Sequence, residues 1–168
     1  MAPGCMFGAA TAHRGLADVE RDLRAAQFER RLMTESAGAV VQEALRHFAA
    51  HDYDAFLEML HPDVEWHPSS SVVAPGATML PTYRGNAGIR RWLKTIDEAF
   101  EEYAPEAREI EDLGDDRALV SAMVTVRRPG GQRTTSEVVW IASAEDGKLR
   151  RMRSYADMDE ARRAVSPG

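Results

Sequence analysis

Apolar residues in the first half of the chain recur at helical spacing. The adjacent residues Val40 and Val41 are followed by Ala44 and Phe48 at intervals of three or four residues, so all four lie along one face. This period predicts an amphipathic helix over residues 35–50 that buries its apolar face against a core.

Two further helical patterns follow. Asp52 or Asp54 can cap a short second helix, which Pro62 ends. A third helix is predicted over Asn86–Tyr103, where apolar residues again recur every three or four positions, and Pro105 ends it.

Alternating apolar and polar residues fill the second half of the chain. Arg117–Arg128, Thr134–Ala142 and Leu149–Tyr155 are predicted to be strands because of this two-residue period and their Thr and Val content. The turn residues Pro129–Gly131 and Asp146–Gly147 separate them, so the three strands form an antiparallel meander.

Shorter patterns complete the domain. Val64–His67 is predicted to be a short strand, residues 105–113 another strand, and Asp157–Val165 a closing helix. Residues 68–84 are rich in Pro and Gly and are predicted to form an irregular loop. Loops of this length inside a compact domain are often functional.

The chain divides into a domain with two flanking segments. We predict a domain over residues 34–165 and a short tail over residues 166–168. Residues 1–33 form an extension that is flexible or a loosely docked helix, because residues 1–15 are rich in Gly and Ala and only Leu16–Leu32 has a thin apolar stripe.

Four short motifs occur in order along this domain: His51–Asp54, Val64–Pro68, Tyr83–Gly85 and Gly147–Leu149. Together they resemble the SnoaL-like branch of the nuclear transport factor 2-like (NTF2-like) superfamily. The resemblance implies an α+β, cystatin-like cone in which a curved antiparallel sheet wraps around three helices and a central pocket. The branch includes polyketide cyclases, ketosteroid isomerases, epoxide hydrolases, dehydratases and non-catalytic binding proteins.

Composition narrows the range of partners. The formal net charge of −6 argues against nucleic acid and anionic membranes. No apolar run approaches 18 residues, so we expect no membrane-spanning helix. We expect a cytoplasmic protein, because the N-terminus lacks the pattern of a signal peptide and the single Cys5 cannot form an internal disulfide.

We expect no cofactor and no metal. No glycine-rich phosphate loop follows a strand, and no Cys/His cluster has zinc spacing. His47 and His51 are one helical turn apart, which can suit a metal ion, but no third ligand is evident and a helix surface is the favoured interpretation.

His67 is the first candidate catalytic residue. By the period of a strand, His67 and Glu65 face one side and Val64 and Trp66 the other. The resemblance places His67 where ketosteroid isomerases keep an aspartate that shuttles a proton beside a carbonyl. A histidine can do this because its unperturbed pKa of about 6.5 is close to neutral pH. The alternative is a pocket-lining histidine that only hydrogen-bonds its neighbours.

The other parts of that active site are missing. The resemblance places Ala44, and Val138 or Val139, where the isomerases keep the tyrosine and protonated acid that hold an enolate oxygen. Losing such a donor costs an enzyme about 3 kcal/mol of transition-state stabilisation. Tyr83 or Tyr155 could donate instead.

Asp157 is the second candidate catalytic residue. The resemblance places Ser154 where the cyclases keep a basic aspartate, and Asp157 is the nearest acid. A simpler interpretation is that Asp157 caps the closing helix. Arg153, Asp157 and Glu137 could imitate part of an epoxide hydrolase site, although a cross-strand ion pair is favoured.

Aromatic and apolar side chains supply a candidate pocket wall, although in regular elements they are also typical of an ordinary core. Arg150, Arg151 and Arg153 make the last strand basic, which could attract a carboxylate or pair with acids elsewhere. The candidate substrate-binding residues are Glu65, Trp66, Tyr83, Trp92, Met123, Trp140 and Tyr155.

Three functions remain open, of which the last is a pure interaction domain with an apolar sheet face and no enclosed pocket. The first is acid–base chemistry at His67 on a hydrophobic, carbonyl-bearing ligand, by an isomerase, cyclase, hydrolase or dehydratase. The second is a non-catalytic ligand-binding or accessory module on the same fold. In each case the resemblance implies a homodimer formed through the outer face of the sheet.

Overall fold

The structure, a computed structural model, describes residues 15–68 and 79–166, with side chains described for residues 15–26, 35–68 and 79–166. The helices are α1 (Leu16–Thr34), α2 (Ala37–Ala49), α3 (Tyr53–Glu58), α4 (Gly85–Ala99) and α5 (Met158–Val165). The strands are β1 (Leu60–His67), β2 (Tyr83–Arg84), β3 (Glu102–Gly114), β4 (Arg117–Arg127), β5 (Arg133–Glu145) and β6 (Lys148–Tyr155). This order confirms the α+β prediction.

Three of the predicted segments lie partly outside the described residues. These are the first part of the extension, the tail, and residues 69–78 of the predicted loop. The helical pattern in the extension is confirmed by α1, whose described side chains are all exposed. The division into an extension and a domain remains a prediction.

The sheet has six strands in the order β2-β1-β6-β5-β4-β3. β3 to β6 form the predicted antiparallel meander. The sheet is nevertheless mixed, because β1 pairs with β6 in parallel, with His67 opposite Arg153. The alternation of side chains along a strand does not encode its direction relative to a distant partner, so the sequence pattern could not reveal this pairing.

Two tight turns set the register of the meander. Asp146 and Gly147 both have positive φ, at 53° and 71°. They join Glu145 to Lys148, which pair directly across the two strands. Asp115 and its neighbour adopt the same conformation between β3 and β4. Two central residues with positive φ match the twist of a two-residue hairpin.

α4 is shorter than predicted. The pattern predicted a helix over Asn86–Tyr103, but the helix ends at Ala99 and Phe100 is extended, with φ −135° and ψ 139°. Tyr103 therefore lies on β3. Pro105 does not end a helix; it lies inside β3 opposite a residue of β4. A proline is tolerated there because β3 is an edge strand.

β1 begins earlier than predicted. It starts at Leu60, so Pro62 lies within the strand and does not end the second helix. α3 ends at Glu58, and the Asp52 side chain caps its start by accepting from the Ala55 N–H at 3.2 Å. The predicted end of this helix at Pro62 is therefore wrong, because the helix ends at Glu58 and the strand has already begun at Leu60.

The core lies between α2, α3 and α4 and the inner face of the sheet. Val40, Val41, Ala44 and Phe48 of α2 are each at most 3% exposed, which confirms the predicted apolar face. Ser36 caps α2 by accepting from the backbone N–H of the third residue after it. This burial positions the helices over the sheet.

The outer face of the sheet is partly covered by α5. Leu119 of β4 and Val139 of β5 are buried against Ala161 of α5. Among the described residues, the exposed large hydrophobic side chains lie on α1 and at Leu80, not on this face. The homodimer through the outer face remains a prediction. No helix of the described segments is long and apolar enough to cross a membrane.

Phe48→Ala should lower the free energy of unfolding by about 3–5 kcal/mol, since the Phe48 ring contacts the rings of Tyr53, Phe56, Trp92 and Tyr103. Urea denaturation measures this. Leu23→Ala is the control, because Leu23 is 56% exposed, and it should change stability by less than about 0.5 kcal/mol. Equal effects of the two substitutions would contradict the placement of the core.

Candidate functional site

An apolar cavity lies between the three inner helices and the inner face of the sheet. Its free volume is about 40 Å³, far less than the roughly 300–1,000 Å³ of pockets for drug-sized ligands. A ligand of that size must therefore displace side chains as it enters. The lining residues are Val41, Ala44, Leu45, Phe48, Phe56, Leu60, Val64, Glu65, Trp66, Ile89, Trp92, Tyr103, Pro105, Trp140, Leu149 and Met152.

Aromatic rings dominate one part of the wall. The Trp66 ring meets the rings of Trp92 and Trp140 edge to face, with centroids 5.6 and 6.3 Å apart. The Tyr103 ring lies edge-on to Trp92 with centroids 6.0 Å apart. Such an arrangement offers both ring faces and ring edges to an aromatic or polycyclic ligand.

Two of these tryptophans carry unpaired donors. Trp66 and Trp92 are 5% and 6% exposed, and among the described residues no acceptor lies within hydrogen-bond distance of either indole N–H. Burying an unpaired donor costs roughly 1–3 kcal/mol. A ligand oxygen that reached either ring would recover part of that free energy.

Tyr103 is the phenol at this cavity. Burial raises the pKa of Tyr103 far above its usual value, so its hydroxyl remains protonated across the physiological pH range. It can donate or accept a hydrogen bond but cannot act as a base. The sequence pattern missed Tyr103 as a site residue because it assigned this residue to the third helix.

Four of the predicted binding residues reach the cavity and three do not. Trp66, Trp92, Trp140 and Glu65 are on its wall. Tyr83 is buried, and its hydroxyl accepts from the Leu80 N–H at 3.1 Å. Met123 is half-buried on β4, opposite Glu106 and Glu137 of the neighbouring strands. Tyr155 packs against the cluster of Leu119, Val139 and Ala161.

His67 lies outside the cavity wall. Its Nε2 is 3.3 Å from a Glu65 carboxylate oxygen, and its Nδ1 is 3.0 Å from the Thr82 hydroxyl. The predicted alternation holds for Val64 and Trp66, which line the cavity, and for His67, whose side chain is on the other face. Glu65 also lines the cavity, but its carboxylate turns to His67 and Arg151 on that other face. The cavity therefore lies on the face of β1 that carries the Trp66 side chain.

The Glu65 carboxylate is held by two arginines and a histidine at once. Its carboxylate accepts from Arg151 at 2.9 and 3.1 Å and also pairs with Arg84 and His67. Burial raises the pKa of Glu65, but hydrogen bonds from His67 and Arg151 and the charges of Arg151 and Arg84 outweigh it, so the pKa is below its usual value. The carboxylate is thus ionised and committed to these partners.

The structure does not bring Asp157 to the cavity. Its carboxylate accepts from the Glu160 N–H at 2.8 Å and caps α5, and the residue is exposed. The simpler interpretation of the sequence therefore describes its position. No contact with His67 or the cavity supports a catalytic role for Asp157.

One cluster of potential metal ligands occurs among the described residues. The ligand atoms of His61, Glu145 and Asp146 lie within 4.8 Å of one another near the surface. Glu145 already pairs with Arg150 at 3.2 Å, and exposed acids often lie this close without an ion. His47 pairs separately with Glu43, at 3.2 Å, so it shares no site with His51.

Comparison with known proteins identifies the family. The sequence model of the SnoaL-like domain matches residues 41–152. The chain belongs to the SnoaL-like domain family. The matched region includes the strand that carries Trp66 and most of the cavity wall.

Several solved structures have the same fold as this SnoaL-like domain. TerC, co-crystallised with polyporic acid, is 26% identical with a TM-score of 0.63, over 76% of this chain and 97% of that chain. A putative polyketide cyclase from Sinorhizobium meliloti is 25% identical with a TM-score of 0.54, over 69% and 93%. An NTF2-like protein of unknown function from Burkholderia pseudomallei is 23% identical with a TM-score of 0.61, over 79% and 100%. Curated protein sequences give no match.

Glu65→Gln should lower stability at neutral pH, because it leaves Arg151 and Arg84 without their carboxylate. A carboxyl group whose pKa is lowered by folding stabilises the protein above its unfolded pKa, about 4.3, and this contribution is lost as the pH falls through the folded value. The stability difference between wild type and Glu65→Gln should therefore shrink below about pH 4.3.

Urea denaturation at a series of pH values measures this difference. Glu43→Gln is the matched control, because Glu43 also has a lowered pKa but pairs with Arg46 on the exposed face of α2. Its effect at neutral pH should be smaller. A pH-independent Glu65→Gln effect would show that the ionised carboxylate is not what stabilises the network.

Proposed function

We propose that this SnoaL-like domain binds a hydrophobic small molecule in the cavity between its helices and its sheet. The observation that carries the proposal is the chemistry of the wall, because apolar and aromatic side chains from helices and strands converge on one cavity. Ligand pockets are typically concave, mostly apolar and supplied with few polar groups.

We infer that the ligand contains rings and at least one oxygen acceptor. The edge-to-face tryptophans favour flat ring systems. The unpaired indole donors of Trp66 and Trp92 favour a carbonyl or a similar acceptor. TerC, at 26% identity, was co-crystallised with polyporic acid, and a Mycobacterium tuberculosis protein of the same fold, at 17% identity, was solved with estradiol-17β-hemisuccinate.

Binding is better supported than acid–base catalysis. Among the described residues Glu65 is the acidic one that lines the cavity, but its carboxylate turns away from the tryptophans and pairs with Arg84, Arg151 and His67 on the outer side of the sheet. Tyr103 is held protonated by burial. A catalytic base must be unprotonated and within hydrogen-bond reach of the proton that it removes. Tyr103 stays protonated and the Glu65 carboxylate is already paired, so neither group meets both conditions.

Acid–base chemistry at His67 is the second candidate. The observation that favours it is the chain of contacts from the Thr82 hydroxyl through the imidazole to the Glu65 carboxylate, which links both ring nitrogens to hydrogen-bonding partners. The position of His67 off the cavity wall weighs against it. The two candidates differ in what a substitution at this residue changes.

Ala44→Leu should weaken binding of polyporic acid and of estradiol-17β-hemisuccinate at least about tenfold, because Ala44 is 2% exposed and lines the cavity. The added side chain takes space that the ligand requires. Quenching of tryptophan fluorescence measures the affinity, since three tryptophans line the cavity.

Ala49→Leu is the matched control, because Ala49 is exposed at the end of α2, and it should leave the affinity unchanged. Circular dichroism establishes that both variants are folded. Equal affinities of Ala44→Leu and wild type would place the ligand elsewhere, and no binding of either compound would argue against this ligand class.

His67→Gln should leave the affinity for the same compounds within about twofold, because its ring is off the cavity wall. Ala49→Leu again serves as the reference. A large loss of affinity, or a turnover that disappears in His67→Gln, would instead favour the acid–base candidate.

A further inference from the structure

We propose that a groove on the outer face of the sheet binds the carboxylate of a small amphiphilic organic acid. The groove, here called the arginine groove, lies between strands β4 to β6 and the last turn of α5. Arg117, Arg151, Arg153, Tyr155, Ile141 and Val165 line it. This second site is on the opposite face from the cavity and does not depend on the proposed function.

Strand pairing brings the arginines of the groove together. Arg117 on β4 and Arg151 on β6 both pair with Ser143 of the strand between them. Arg153 follows Arg151 by two residues and therefore faces the same side. The last turn of α5 brings Val165 over these side chains. The free volume of the groove is about 210 Å³, several times that of the apolar cavity.

Positive charge in the groove is only partly compensated. Arg151 shares the Glu65 carboxylate with a second arginine. Arg117 has a carboxylate oxygen of the exposed residue Asp115 at 3.9 Å. For Arg153, no acidic side chain of the described part of the chain lies within 4.0 Å, and its guanidinium lies over the Tyr155 ring, 5.5 Å from the centroid.

This surplus contrasts with the rest of the molecule. The chain has a formal net charge of −6, yet none of the described residues that line the groove is acidic. Positive charge that is concentrated in a concave site raises the local concentration of anions. The groove is therefore a site for an anionic ligand, not for a neutral or a cationic one.

The side chains define the ligand further. An arginine fork matches the two oxygens of a carboxylate and can donate two parallel hydrogen bonds. Tyr155 adds a hydroxyl, whereas Ile141, Ala164 and Val165 form an apolar flank beside the arginines. A carboxylate joined to a hydrocarbon or aromatic ring satisfies both parts of the groove. Inorganic phosphate can bind the arginines but has no group that packs on the apolar flank.

Titration with sodium benzoate tests the proposal. In nitrogen-15-labelled protein at low salt, the Nε–H resonances of Arg151 and Arg153 should shift saturably. Arg153→Gln should weaken binding at least about tenfold, as expected for the loss of a charge-assisted hydrogen bond. Added sodium chloride should also weaken it, because salt screens exposed charges.

Two further variants make the result specific. Arg108→Gln removes the same charge from β3, where Arg108 pairs with Glu106 at 3.1 Å, and it should change benzoate affinity by less than about twofold. Ala164→Glu places a carboxylate at the groove wall without removing an arginine. It should weaken benzoate binding, and it covers the case in which Arg153→Gln fails to fold.

Several outcomes would overturn the proposal. Unchanged affinity in both Arg153→Gln and Ala164→Glu would exclude the groove, as would an equal loss in Arg108→Gln. Inorganic phosphate that binds as tightly as benzoate would show that the apolar flank contributes nothing, and would remove the assignment to an organic acid. A dimer by analytical ultracentrifugation, with no benzoate shifts at these arginines, would show that this face is covered by a second copy.

Discussion

The Glu65 carboxylate fixes the geometry on which the rest of the structure depends. Among the described residues, Glu65 is the buried charged one. It lies on β1, between β2 and β6, and its carboxylate binds Arg84 of β2 and Arg151 of β6. These contacts hold three strands in one register. Because the side-chain period of a strand is two residues, a slip of one residue would bury Glu65 among the tryptophans and expose Trp66. The ion pairs and the aromatic wall thus select the same register.

This register separates two kinds of chemistry on the two faces of the sheet. The inner face presents Trp66, Trp140 and Met152 to the cavity, whereas the outer face presents Glu65, His67 and the arginines. A ligand in the cavity therefore meets apolar surface and unpaired indole donors. The ionisable groups that could exchange protons are on the far side of β1. The fold thus separates the apolar cavity from the charged groups, and this separation is the physical basis of the proposal that the cavity binds a ligand.

Much of the fold could be predicted from the sequence, because periodicity reports burial. The apolar face of α2, the meander, and the opposition of Glu65 and His67 to Val64 and Trp66 follow from spacing alone. Spacing alone does not show which side of β1 faces the helices, because an alternating pattern fits either side equally well. The contribution of Tyr103 to the wall depends on where α4 ends, and an aromatic residue at helical spacing can equally begin the next strand. These positions are set by tertiary contacts, which a single sequence does not contain.

Pro105 has a consequence for the behaviour of the protein in concentrated solution. It interrupts the hydrogen-bonding edge of β3, one of the two outermost strands, and glutamates at positions 102, 106, 109 and 111 add negative charge along the same strand. The opposite edge, β2, has only two residues. Exposed strand edges are where sheets of separate molecules join and grow into fibrils. With one edge interrupted and charged and the other very short, the chain resists edge-to-edge aggregation.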